Sequence, residues 1–422
     1  MNYFSTRGSG PVSLPVALVE GLAPDGGLYL PESLPSIDLP PSGPLADVGA
    51  AVLGAFLPPN ATGWVRQALA IDTPLVPLGD DDHLLDLTRG PTAAFKDMGA
   101  RFLAEALAAL APAPGDRRRT VLVATSGDTG GAVAAAFHGR RGLRVVVLFP
   151  ADGVSERQRR QFTTLGQGVT ALGVDGPFDA CQRLVKEALS DRELVDRHLL
   201  TSANSINIGR LLPQATWFVK ALADLEGRTP TFVVPSGNLG HLTAGLLAAR
   251  MLGSSARFVG AVNDNDAFAR WVEGREPDGG AATVATPSSA MDVGRPSNLE
   301  RVAALTASDE SLRARLSAER VNAEETLAEM ARRHRDDGRF VDPHTAVGLV
   351  ALRRLRGRGV TGPVVVLSTA DAGKFPATVT AATGAEPPVP ASLAGLEGRS
   401  ERWRPMAADL ESLRTHLDEA GA

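Results

Sequence analysis

The chain has 422 residues, 44% of them hydrophobic and 22% charged, with a formal net charge of −5. That length accommodates two or three domains, and the composition is that of an ordinary soluble globular protein. The mild negative charge argues against nucleic acid and membrane surfaces as partners, and no apolar run approaches the ~18 residues of a spanning helix.

The opening MNYFSTRGSG lacks a basic start followed by an apolar stretch, so no secretory signal is expected. Prolines cluster from Pro31 to Pro44 and predict an extended connector. The segment PTAAFKDMG, residues 91–99, sets Lys96 among small and apolar neighbours. Apolar surroundings penalise an ammonium, and a neutral amine is a nucleophile toward aldehydes. Next come a predicted strand, TVLVAT (120–125), the loop SGDTGG (126–131) and a predicted helix, AVAAAFHG (132–139). A strand over 144–150 and a helix over 179–189 continue the alternation. The helix holds Cys181, the only cysteine, which excludes an internal disulfide and a cysteine-clustered metal site. Together these features point to the cytoplasm.

The segment SANSINIGR (202–210) precedes a third strand, TFVVP (231–235), the loop SGNLG (236–240) and a helix over 242–252. The stretch 274–297, rich in Gly, Pro, Ser and Ala, predicts a long surface loop. A late strand, PVVVLS (363–368), leads into LSTADAGKF, and an amphipathic helix over 405–419 is expected to cap the surface. Continuous apolar strands alternating with helices imply an α/β protein with parallel sheets covered on both faces. The histidines show no metal-ligand spacing, and no metal is expected.

Two loops suit anions. SGNLG sits between a strand and a helix, where glycines let several N–H groups converge and the helix adds its positive end. It is neither a P-loop nor a G-x-G-x-x-G fingerprint, and a plain strand-to-helix turn is the alternative. SGDTGG has the same setting and adds the hydroxyls of Ser126 and Thr129 and the carboxylate of Asp128; taken alone, Ser126 or Asp128 reads as a helix cap before it reads as a catalytic group. Asn204, Ser205, Asn207 and Arg210 offer amides, a hydroxyl and a guanidinium suited to phosphate or carboxylate, or simply form a polar turn. Thr369 ends a strand at the edge where open α/β sheets bind ligands. A reactive lysine with two anion cradles suggests an enzyme holding an aldehyde cofactor that bears a phosphate.

Taken in order, EGLAPDGGLYLPESLP, GPTAAFKDMGARF, TSGDTGGAVAAAF, DGPFDACQRLVK, TSANSINIGRLLPQ, VPSGNLGHLTAGLLA, SSAMDVGRPSNLERV, DPHTAVG and STADAGKF closely resemble the threonine synthase family in its longer bacterial and fungal form. The resemblance covers nearly the whole chain and is weakest at its C-terminal end. It implies a fold type II pyridoxal-phosphate enzyme, similar to tryptophan synthase β, with two open parallel-sheet domains and an N-terminal region. The expected division is 1–80 for that region, 81–200 for a smaller domain with Lys96 and SGDTGG, and 201–422 for a larger one with SGNLG and Thr369.

The implied reaction turns O-phospho-L-homoserine and water into L-threonine and phosphate, the last step of threonine biosynthesis, in a monomer or homodimer. By resemblance, Lys96 carries pyridoxal 5'-phosphate and acts as general base. Ser236, Gly237, Asn238, Leu239 and Gly240 cup the cofactor phosphate, Thr369 partners the ring nitrogen, and Asp128 lies beside the ring. Ser126, Thr129, Asn204, Ser205, Asn207 and Arg210 take the substrate. Five positions in three places depart from the pattern. His241 replaces an acidic residue, Asp371-Ala372-Gly373 replace His-Pro-Ala, and Asp128 stands where the wider fold often has asparagine. If Asp128 faces the ring hydroxyl, one of the two must carry a proton. Two rivals remain: a dehydratase or phospholyase releasing a keto acid and ammonia, and a non-catalytic binding protein on the same fold.

Overall fold

The computed structural model describes residues 1–275 and 283–421. It separates into two compact units, each assembled from non-consecutive stretches. The first combines Met1–Ser33, Lys96–Arg210 and Ala391–Ala422; the second combines Leu34–Phe95 and Leu211–Pro390. This differs from three consecutive blocks. Residues 1–80 are divided between the units, and the C-terminal stretch joins the first. The cause is strand pairing across long sequence separations, which composition along the chain does not report.

The first unit holds an all-parallel sheet in the order Arg404–Met406, Val169–Val174, Leu143–Pro150, Arg119–Ala124, Thr201–Ser202. Its inner strands are apolar runs buried almost throughout, as expected of a sheet covered on both faces. Leu122, Val146 and Leu172 pack with Cys181 and Leu184 of the helix Phe178–Ser190, and with Leu413 and Leu417. The last helix, Leu410–Gly421, therefore supplies core rather than only covering it. Burial pushes the Cys181 thiol up to about 12, in keeping with a packing role. The edge strand Arg404–Met406 had no apolar signal, and Pro405 is tolerated there because an edge leaves donors unused. A small antiparallel sheet joins Val12–Ser13, Asn2–Ser5 and Tyr29–Pro31.

The second unit holds six strands in the order Leu316–Arg320, Arg257–Val262, Thr231–Pro235, Val364–Ser368, Asp82–Asp86, Leu75–Gly79. Only the last pairs antiparallel. Helix Pro343–Gly357 packs Val347, Val350 and Ala351 against Val233, Val259 and Val366 of the sheet. Residues 32–44 contain no helix or strand, in line with the proline-rich connector.

Residues 276–282 of the expected surface loop lie outside the described residues. From Ser288 onward the loop is largely internal: Ser288, Met291, Val293 and Asn298 are buried. Its polar residues tolerate burial because they are hydrogen-bonded, Asn263 Nδ2 reaching Ser288 Oγ at 3.0 Å and Asp292 Oδ1 at 2.8 Å. Among the described residues no helix is long and apolar enough to cross a membrane.

Candidate active site

In the first unit, Lys96 opens the helix Lys96–Leu110 and Asp128 opens the helix Asp128–Phe137, which packs against it. Lys96 Nζ lies 3.7 Å from Asp128 Oδ2, with side-chain exposures of 17% and 3%. Asp128 Oδ1 accepts a hydrogen bond from Gln158 Nε2 at 2.8 Å. The surroundings of Lys96 are thus not purely apolar: a buried carboxylate faces the amine. Sequence reading missed this contact because nothing in the segment 91–99 points to a partner 32 residues on.

The loop before Asp128 is closed by Thr125, whose Oγ1 accepts from Gly127 N at 2.9 Å and Gly130 N at 2.8 Å. Gly127 has φ +138°, a conformation that side-chain-bearing residues avoid, and a Cβ there would meet the Gln158 side chain at 2.5 Å. Ser126 and Thr129 flank it, partly exposed.

The segment after Thr201–Ser202 is clamped to the neighbouring strand. Asn204 Oδ1 accepts from Ala124 N at 3.0 Å, and its Nδ2 donates to Ala124 O at 2.7 Å. Asn207 is fully buried. Its Nδ2 donates to Leu18 O (2.9 Å) and Ser202 O (2.8 Å), and its Oδ1 accepts from Gly209 N (2.9 Å). Both asparagines therefore shape the segment. Arg210 is 3% exposed, and its Nη1 donates to the Ala203 carbonyl. Burial pushes its guanidinium down to about 10, against the opposing charge of Asp97, so it stays cationic at neutral pH. Ser205 is half-buried. SGDTGG and SANSINIGR thus share one edge of the first unit's sheet.

In the second unit, Ser236 follows the strand Thr231–Pro235 and Thr369 follows its parallel neighbour Val364–Ser368, so the two stand at one carboxyl edge. Ser236 N donates to Ala261 O at 2.8 Å and its Oγ to Val234 O at 2.7 Å. Leu239, at φ +61°, turns the chain into the helix Gly240–Leu252. Thr369 is buried; its N donates to Thr345 Oγ1 at 3.3 Å and its carbonyl accepts from Phe95 N at 3.0 Å.

The loop 286–298 backs this turn. A Cβ on Gly237 would lie 2.7 Å from Met291 Cα. Asn238 Oδ1 accepts from Ser297 N, and Asn238 O accepts from Asn298 Nδ2 at 3.0 Å. His241 is buried in an aromatic group, its Nε2 accepting from Trp217 Nε1 at 2.8 Å and its ring stacked on Phe95 at 4.6 Å. Asp371 Oδ1 accepts from Gly373 N at 2.7 Å, and burial pushes its carboxyl up. Lys374, unnoticed in the sequence, is fully buried and donates to Thr92 O at 2.7 Å.

Residues 69–370 match the family model described as pyridoxal-phosphate dependent enzyme. With one all-parallel and one mostly parallel sheet, a lysine at a helix start and a strand–glycine loop–helix turn, the class is that of fold type II pyridoxal-phosphate enzymes. Residues 2–49 match the model for the threonine synthase N terminus and residues 345–417 that for threonine synthase, C-terminal, which reaches into the part where sequence motifs were weakest. A threonine synthase of Serratia marcescens is 40% identical over 398 residues, covering 91% of each chain. The crystal structure of threonine synthase from Escherichia coli aligns with a TM-score of 0.89 at 37% identity, over 99% of this chain and 100% of that one. The pyridoxal-phosphate-bound threonine synthase from Brucella melitensis aligns at 0.87 and 35%, over 100% and 99%. The chain belongs to the threonine synthase family.

Its cofactor is pyridoxal phosphate, and the residues present fit that group. The turn at 236–240 packs the Gly237 backbone directly against Met291, where a Cβ would clash, and leads into a helix N-terminus suited to an anion. Lys96 offers a largely buried amine, and Thr369 a neutral hydroxyl.

Proposed function

We propose that this protein converts O-phospho-L-homoserine and water to L-threonine and phosphate. The observation that carries the reading is Lys96 at the start of its helix with Asp128 3.7 Å from its amine, in a chain of this family. Pyridoxal phosphate supplies an electron sink for the charge left when a proton leaves the substrate carbon. Lys96 carries the cofactor and, through its Nζ, takes and returns the α-proton as general base. Asp128 orients that amine by its charge. The turn Ser236, Gly237, Asn238, Leu239 and Gly240 cups the cofactor phosphate, with Ser236 pinning the turn to the sheet through Ala261 and the N–H groups of the residues after it facing the phosphate, and the Thr369 hydroxyl partners the ring nitrogen.

Ser126, Thr129, Asn204, Ser205, Asn207 and Arg210 form the substrate-binding set. Asn204 and Asn207 serve it through the shape they give the segment. Arg210 answers the charge that grows as phosphate departs. The enzyme works as a monomer or homodimer in the cytoplasm.

The test is phosphate release from O-phospho-L-homoserine with the organic product identified. Threonine is the expected product; 2-oxobutyrate with ammonia would instead make the protein a phospholyase.

Arg210→Ala should raise KM for the phosphorylated substrate roughly 10- to 100-fold, the range of a lost charge-assisted hydrogen bond. Because Arg210 also faces Asp97 and holds the Ala203 carbonyl, thermal unfolding belongs beside the kinetics. A lower Tm with unchanged KM and kcat would make Arg210 a purely structural residue.

A further inference from the structure

His344 is the second residue of the helix Pro343–Gly357 and is 2% exposed. Its Nε2 lies 3.1 Å from Ala290 N and its Nδ1 2.8 Å from Asp342 Oδ1. A backbone N–H can only donate, so Nε2 is the bare nitrogen and the ring hydrogen sits on Nδ1, directed at the carboxylate. Asp342 is itself buried and fixed, because the same Oδ1 accepts from His344 N at 3.0 Å and Thr345 N at 3.3 Å as the helix cap. The ring has therefore one tautomer and one orientation.

Ala290 is the middle residue of the turn Ser289–Met291. The next residue, Met291, presses its Cα, carbonyl carbon and oxygen against the place where a Gly237 side chain would start. The bonds from Asn263 anchor the flanks of this loop at Ser288 and Asp292. The His344 bond holds the N–H of the turn itself.

We propose that Asp342 and His344 are positioning residues for the cofactor phosphate, an inference that rests on the cofactor assignment above. By holding Ala290 they keep Met291 seated on Gly237, and so keep the N–H groups of residues 237–240 converged. Neither side chain touches the phosphate. Their effect is on how well its cradle is formed before the cofactor arrives.

The experiment compares equilibrium binding of pyridoxal phosphate with that of pyridoxal, which lacks the phosphate, to wild type and variants. His344→Phe keeps a ring but removes the acceptor. It should weaken pyridoxal phosphate binding about five- to tenfold, the scale of one hydrogen bond lost from a part-buried N–H, while pyridoxal binding changes less than about twofold. His344→Gln, which can set an oxygen near the old Nε2 position, should recover most of the affinity. If the phenylalanine variant does not fold, His344→Asn, smaller and with its acceptor misplaced, should show the same split. Wild-type affinity for pyridoxal phosphate in a folded non-acceptor variant, or equal losses for both compounds, would overturn the proposal. A wild-type protein that binds neither compound would overturn the cofactor assignment itself.

Discussion

Replacing Lys96 with alanine should lower turnover by a factor on the order of 10³ or more, since a positioned general base alone contributes that much. Gel-filtered Lys96→Ala should also lack the visible band that a lysine-bound cofactor gives. The two losses would share one cause, since in the proposed reading one nitrogen both carries the cofactor and moves the proton. The variant should fold: Lys96 is the first residue of its helix, and alanine is a good helix former. It will be less stable, because Asp128 loses the opposite charge that faces it while staying buried. Asp128→Asn in the alanine background should recover part of that stability without recovering turnover. Borohydride reduction and peptide mapping of the wild type offer a direct check. The label belongs on Lys96; a label on Lys374, the buried lysine of the STADAGKF motif, would refute the assignment.

Gly237→Ala should destabilise the protein by about 1–3 kcal/mol and loosen its hold on the cofactor. The new methyl would sit 2.7 Å from Met291 Cα, 3.1 Å from its carbonyl oxygen and 3.2 Å from its carbonyl carbon. These are backbone atoms, and the loop carrying them is tied down by Asn263 and His344, so it cannot step aside at little cost. The contrast is Gly127, where the nearest atoms a methyl would meet belong to the side-chain amide of Gln158, so that substitution would disturb its bond to Asp128 rather than press on backbone, and the φ of +138° adds strain. Thermal unfolding of the apoprotein and cofactor titration measure the two effects separately. An alanine variant with wild-type Tm and affinity would mean that the turn at 289–291 yields easily, and would remove the steric account of the cradle.

The loops proposed to bear chemistry are legible because each lies between an apolar run and a small-residue helix. SGDTGG and SGNLG both sit where the strand readings end, and the strand over 231–235 was read to the residue. Lys96 stood out for a different reason, as a lone cation in a small and apolar segment. What the sequence concealed is what distant residues supply. Asp128 meets Lys96, Met291 meets Gly237 and Trp217 meets His241 through packing that no local pattern encodes. The loop 274–297 misled for a related reason. Its polar residues resemble those of an exposed segment until their hydrogen-bond partners are known. The strands Asp82–Asp86 and Arg404–Met406 escaped notice because neither is a continuous apolar run.

The interleaving of the two units has a consequence for biosynthesis. The first unit's sheet is finished only by Arg404–Met406, and its core only by Leu413 and Leu417. Hence the polypeptide must leave the ribosome as far as Leu417 before the unit that carries Lys96 can close. Early termination anywhere upstream of Leu413 should yield an aggregation-prone fragment, not a smaller working protein. Neither unit can be excised as one continuous stretch of coding sequence; a rearranged or circularly permuted gene would be needed to make either alone.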